Sequence, residues 1–163
     1  MVKVFISHSM KDSQLINVCL RYLKAYKIIT YLAERNYQPG KLLSQKTMQI
    51  IGESDYFLVV YTHHGKDSHY VREEIGYWMG KNNSNNLIPF VEKGIDPGDF
   101  LCGVEYIEFD PLNPGLGIAN TVKYINKPIK MEQKKLACDM GIGIDLLGLA
   151  SLIFYGIYQL KNE

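Results

Sequence analysis

A chain of 163 residues with a formal net charge of +1 suits one ordinary domain with an appendage. Its apolar and charged fractions, 47% and 21%, exclude a disordered or fibrous protein, and the near-neutral balance lacks the basic stripe that a nucleic-acid partner selects. The three cysteines, Cys19, Cys102 and Cys138, are isolated, odd in number and without metal-ligand spacing, which reads as reduced thiols in a cytosolic compartment.

The opening "MVKVFISHS" enters a strand pattern at once and has no signal-peptide organisation. Lys3 to Ser9 is a β-branched and aromatic run that predicts a buried strand. From Asp12 to Tyr26, apolar residues recur at Leu15, Ile16, Cys19, Leu20 and Leu23. That is helical spacing, with Asp12 or Ser13 as the cap. "KIITYLAE" gives a second strand, and the turn-forming "RNYQPGK" follows it. A short helix fits Leu43 to Ile51, and Asp55 to Thr62 is a third strand, apolar almost throughout.

The polar loop "HHGKDS" then leads into a helix beginning "HYVREEIGYW"; "NLIPFVE" and "GVEYIEFD" are fourth and fifth strands, and a last helix fits about Gly117 to Ile125. Alternating strands and helices, with strands apolar enough to be covered on both faces, predict an α/β fold with a doubly wound, five-stranded parallel sheet. Ligands in such sheets bind beyond the carboxyl ends of the strands. The loops from Ser7 to Asp12, Glu34 to Lys41, Thr62 to Ser68 and Glu92 to Gly98 are therefore the ones to inspect. The domain is expected over residues 1–130, with a C-terminal apolar helix in 131–163.

That tail runs almost wholly apolar from Met140 to Leu160, with Asp145 and Gln159 as the main exceptions and Lys134, Lys135 and Lys161 flanking it. About 20 such residues are what a bilayer-spanning helix needs. Asp145 would cost roughly 2.5–3.5 kcal/mol at mid-bilayer, and less near an end. A membrane anchor over 140–160 and an apolar helix packing into an oligomer or onto its own domain both fit. Gly141, Gly143, Gly148 and Gly156 suit close helix contact in either case.

The helix after the third strand poses a problem of charge. Tyr70, Glu74 and Trp78 are spaced by four and fall on one line, with Val71 and Ile75 beside it. Glu73 is turned about 100° away, toward solvent. Glu74 is thus expected to be half-sheltered by aromatics, near the carboxyl edge of the third strand, where a carboxylate is a candidate functional group. His63, His64 and His69 have no acidic or cysteine partner at suitable spacing and read as loop histidines, so no metal is expected. "GIGIDLLG" follows no strand and lacks the Lys-Ser/Thr ending of a phosphate loop.

Several segments in order carry a family resemblance over about Val2 to Lys127. "VFISHSMKD", "YLAERNYQPGK", "DYFLVVYT", "SHYVREEIGYW", "NLIPFVEKG" and "VEYIEFD" resemble the TIR domains, and the resemblance implies a flavodoxin-like parallel sheet. Some TIR domains are scaffolds; others cleave NAD at the nicotinamide glycosidic bond with a glutamate in a tryptophan-x-x-x-glutamate arrangement. "YVREEI" matches that arrangement, which implies Glu74 as the catalytic carboxylate and places Tyr70 where the family has its tryptophan. The resemblance also implies a substrate pocket lined by His8, Ser9, Met10 and Glu34, near Thr62, without a separate cofactor. Some of these enzymes carry a basic residue in the first loop, where this chain has "SHSMKD"; Lys11, Arg35 and Lys41 are the candidates to reach phosphate. Tyr70 and Trp78 either pack against a substrate ring or support Glu74.

The chemistry suits a lone carboxylate. Cleaving the nicotinamide–ribose bond builds positive charge on the sugar, as in glycoside hydrolysis, and a fixed negative group stabilises it. Nicotinamide departs as a neutral pyridine and needs no general acid. Water attack would yield ADP-ribose, and attack by an adenine nitrogen a cyclic ADP-ribose isomer. The second-strand loop, with Arg35, Pro39 and Gly40, matches the one through which TIR domains contact one another, which implies a homo-oligomer. By family analogy alone, a small TIR protein with so little attached suggests a prokaryotic antiviral-defence signal. The competing function is a TIR scaffold without catalysis, recruiting partners through the Glu34 to Lys41 loop.

Overall fold

The computed structural model describes residues 1–33, 45–82 and 85–139. Five strands, β1 (Lys3–Ser7), β2 (Ile29–Leu32), β3 (Tyr56–Tyr61), β4 (Leu87–Glu92) and β5 (Ile107–Phe109), form one parallel sheet in the order β2-β1-β3-β4-β5. Helices α1 (Ser13–Ala25), α2 (Gln45–Gly52), α3 (His63–Lys66), α4 (His69–Asn82) and α5 (Gly115–Asp139) alternate with them. This is the flavodoxin-like doubly wound order, in which the direction of winding reverses between β1 and β3. The chain divides into two compact units, Met1–Ile125 and Asn126–Glu163, the second described only as the later part of α5.

Period-2 alternation sorts the strand side chains into two cores. Val4 and Ile6 of β1, with Tyr56, Leu58 and Val60 of β3, meet Ile16, Cys19 and Leu23 of α1 and Ile118, Val122 and Ile125 of α5. On the opposite face, Phe5, Phe57, Val59 and Tyr61 meet Ile51 of α2 and Val71, Ile75 and Trp78 of α4. All six residues of β3 are buried, as the uninterrupted apolar run predicts for a central strand.

The end of α1 is fixed by backbone geometry. Lys27 has φ of 58°, its N–H donates to the Lys24 carbonyl, and the N–H of Ile28 donates to that of Leu23. This pairing is a Schellman motif, with Ile28 and Leu23 in the same core.

Three elements differ from the sequence expectation. The polar "HHGKDS" loop contains a helical turn, α3, because the Thr62 hydroxyl caps it by accepting from the N–H groups of His64 and Gly65 at 3.1 and 2.9 Å. The last helix does not stop near Ile125. It continues to Asp139, through Pro128, which removes one helical donor without ending the helix. Asp12 stands at the N-cap position of α1 but makes no side-chain cap bond; its carboxylate is committed elsewhere. No described helix is long and apolar enough to cross a membrane, and the 140–160 stretch lies outside the described residues.

Candidate functional site

The side chains that carry chemistry gather at the carboxyl end of β1, at the β1/β3 reversal. Alternation along β1 puts Phe5 and Ser7 on the face covered by α4. Ser7 is the strand's last residue, pairs in register with Val59 and is fully buried. On α4, Val71, Glu74, Ile75 and Trp78 form the buried stripe, the i, i+3, i+4, i+7 spacing of a helix face that meets a sheet. Glu74 sits in the middle of that stripe at 1% exposure, and the Ser7 hydroxyl donates a hydrogen bond to its Oε2.

Glu74 is therefore more deeply buried than the half-sheltered group expected from sequence. Its companions on that stripe, Val71, Ile75 and Trp78, are all buried, and only Tyr70, one turn earlier at the start of the helix, reaches the surface. An ionised carboxylate taken out of water costs several kcal/mol unless it is hydrogen-bonded. A charge-assisted hydrogen bond returns about 1.5–3 kcal/mol of that. Glu73 lies at the rim, 3.3 Å from His69 Nδ1.

A second connection ties the same two regions together. Thr62, just past β3 and buried, donates from Oγ1 to Asp12 Oδ2 at 2.8 Å while capping α3. Asp12 is itself buried and ends the 3-10 turn Met10–Asp12, which Ser9 opens by accepting weakly, at 3.4 Å, from the N–H of Lys11. The loop after β1 thus begins at the Ser7–Glu74 bond and is held at Asp12 by Thr62. Gly65 makes the α3 turn feasible, since a Cβ there would lie 2.8 Å from the Val60 carbonyl oxygen. His8 and Ser9, between the two anchors, are each 7% exposed. His8 Nδ1 lies 3.5 Å from the Ile6 carbonyl oxygen. Met10 and Lys11 are exposed.

Of the residues singled out from sequence, the structure thus brings Glu74, His8, Ser9 and Thr62 to one end of the sheet. Tyr70, 37% exposed, is at the surface in the first turn of α4. Trp78 is placed otherwise. Its ring stacks on Phe57 with centroids 5.3 Å apart, its Nε1–H donates to the Asn85 carbonyl at 3.1 Å, and it is 2% exposed. One turn beyond Glu74 and inside the α4 core, it braces the helix and offers no surface to a substrate ring. Glu34, Arg35, Pro39 and Gly40 lie outside the described residues.

Ser7 and Asp12 were not singled out by residue type. Ser7 had a legible signal, being the polar member of the Phe5-Ser7 alternation and facing the helix that bears the odd carboxylate. His63 bonds to Glu92 through both its N–H and Nδ1, at 3.1 and 3.0 Å, linking α3 to the end of β4. Among the described residues no group of three or more His, Cys, Asp or Glu side chains is placed to hold a metal ion.

The family model that matches the chain is that of the TIR domain, over residues 4–115. No curated protein matches. Among solved structures, the TIR domains of the activated Roq1 resistosome directly recognizing the pathogen effector XopQ are similar at 23% identity, with a TM-score of 0.48. The match covers 60% of this chain and 60% of that one.

Proposed function

Since the chain belongs to the TIR-domain family, we propose that it is an NAD-consuming TIR enzyme that cleaves the nicotinamide–ribose bond, with Glu74 as the catalytic carboxylate. The observation that carries this reading is the buried Glu74 carboxylate, hydrogen-bonded by Ser7 at the β1/β3 reversal. A leucine at this point in the α4 stripe would gain roughly 1.5–3 kcal/mol by burial. A carboxylate kept there weakens the fold, as functional groups commonly do.

As nicotinamide leaves with the bonding pair, positive charge develops on the ribose, and an ionised Glu74 stabilises it. Water attack on the sugar gives ADP-ribose; attack by an adenine nitrogen gives a cyclic isomer, which would serve as a defence signal. His8, Ser9 and Thr62 frame the pocket, with Tyr70 at its rim and Glu34 contributing from the second loop. At 1% exposure Glu74 meets substrate only after the residues covering it shift. This suits an enzyme that is silent until it self-associates through the loop containing Arg35, Pro39 and Gly40.

The same burial favours a second reading, in which the Ser7–Glu74 bond is purely structural and the protein is a non-catalytic TIR scaffold. Incubation with NAD at low and high protein concentration, followed by chromatography with mass detection, separates the two. Nicotinamide release should rise more steeply than protein concentration and fall at least about 100-fold in Glu74→Gln, with circular dichroism unchanged. A folded, assembled wild type without release would establish the scaffold.

A further inference from the structure

We propose that Ser7 is a positioning residue for Glu74, holding the carboxylate in the orientation that meets the reacting sugar once the residues covering it shift. This rests on the reading of Glu74 as the catalytic carboxylate. A glutamate on a helix reaches its target through three rotatable bonds, whereas Ser7 has one short side chain on a strand bonded to neighbours on both sides. Of the two groups, the serine is the fixed one. Its single O–H is given to Glu74 Oε2. An ionised carboxylate has about four lone-pair sites, and this bond occupies one of them.

The setting also argues against a bond made for stability alone. Both partners lie on the face that carries Phe5, Val71 and Ile75. Replacing both members of such a buried polar pair by apolar groups of similar shape is commonly neutral or stabilising. Ser7 follows Phe5 on the α4 face and closes the strand, so its hydroxyl reaches the carboxylate at the edge where the sheet opens to a ligand. Displacing a reacting group by about 1 Å is enough to cost roughly 100-fold in rate.

The experiment compares kcat and KM for NAD in the full-length wild type, Ser7→Ala, Ser7→Cys, Ser7→Thr and Glu74→Gln, at a protein concentration where wild-type release is highest. Ser7→Ala should lower kcat about 10- to 100-fold and leave KM within about twofold, because a misaligned carboxylate still permits binding. Ser7→Thr, which keeps the hydroxyl, should restore most of kcat; Ser7→Cys, a weaker donor, should not. An unchanged kcat in Ser7→Ala beside an inactive Glu74→Gln overturns the role of Ser7 and leaves that of Glu74 intact. A raised KM at constant kcat overturns it in favour of direct substrate binding. If Ser7→Ala does not unfold cooperatively, the Thr and Cys variants decide, and equal rates in the two reject the proposal. Turnover that does not depend on Glu74 removes both readings together.

Discussion

Cys19 is a residue whose chemistry is set by packing alone. It lies on the buried face of α1 among Ile16, Leu23 and the β1 and β3 side chains, and desolvation pushes its thiol up to about 12, a backbone hydrogen bond opposing slightly. The folded protein therefore holds this proton more tightly than the unfolded chain, whose thiol titrates near 9.0. The stability that the buried thiol contributes is complete below pH 9 and is lost as pH rises toward 12, at about 1.4 kcal/mol per pH unit. Tyr56 is shifted the same way, first by burial and then by Tyr124 and Asp55, so the wild-type slope has more than one source. Urea melts between pH 8.5 and 10.5 should show Cys19→Ala losing stability less steeply than wild type; parallel slopes would contradict the assignment. How much of the site was legible also shows at this scale. Glu74 announced itself as a charge on an apolar stripe. Trp78 misled, because its spacing of eight from Tyr70, in two steps of four through Glu74, suggested a shared line, while the 3.6-residue period puts Trp78 with Val71 and Ile75 in the core. The Asp12–Thr62 bond joins residues 50 apart in the chain, and no local pattern announces such a pair.

Among the elements, those with a strong internal period were readable and those fixed by one side-chain bond were not. The five strands and α1, α2 and α4 follow from apolar periodicity to within a few residues. The turn of α3 exists because Thr62 caps it and Gly65 lets the backbone pass Val60, and its four residues are too few to show a period. The junction between α1 and β2 carries a cost that nothing in the residue pattern marks. Its Schellman turn places Lys27, not a glycine, at φ 58°, where an L side chain is strained by roughly 1–2 kcal/mol. Lys27 is exposed, so its side chain gives little back. Lys27→Gly should raise unfolding stability by about 0.5–1 kcal/mol, since glycine's greater freedom in the unfolded chain cancels part of the relief. Equilibrium denaturation measures the change, and a loss of stability would mean that Lys27 makes a compensating contact. NAD turnover should not change, because the turn lies at the amino end of β2, opposite to Glu74.

The whole molecule follows from two faces of one sheet. Every buried apolar residue described lies between Val4 and Ile125, and the first compact unit ends at Ile125, although α5 runs on to Asp139. Among the residues whose burial is described, the core thus runs from Val4 to Ile125, within the first unit. A chain ending at Lys127 should unfold cooperatively, with a midpoint within about 4 °C of the full-length protein, the shift expected for 1 kcal/mol in a domain of this size. The apolar run from Met140 to Leu160 has a different burden: in water so long an apolar sequence needs cover in a partner copy, in its own domain or in a bilayer. Sedimentation velocity across a concentration series distinguishes these covers. The truncated chain should remain a smaller species at concentrations where the full chain assembles, because it lacks the larger apolar surface and keeps only the second-strand loop. If it assembles equally well, that loop suffices for self-association and the tail serves another purpose. If it melts without cooperativity, residues beyond Lys127 belong to the core. NAD turnover by the truncated chain completes the argument, since the proposed site, with Glu74, Ser7 and Thr62 all within Met1–Ile125, should work once assembly is restored by raising concentration or by a fused dimerisation partner.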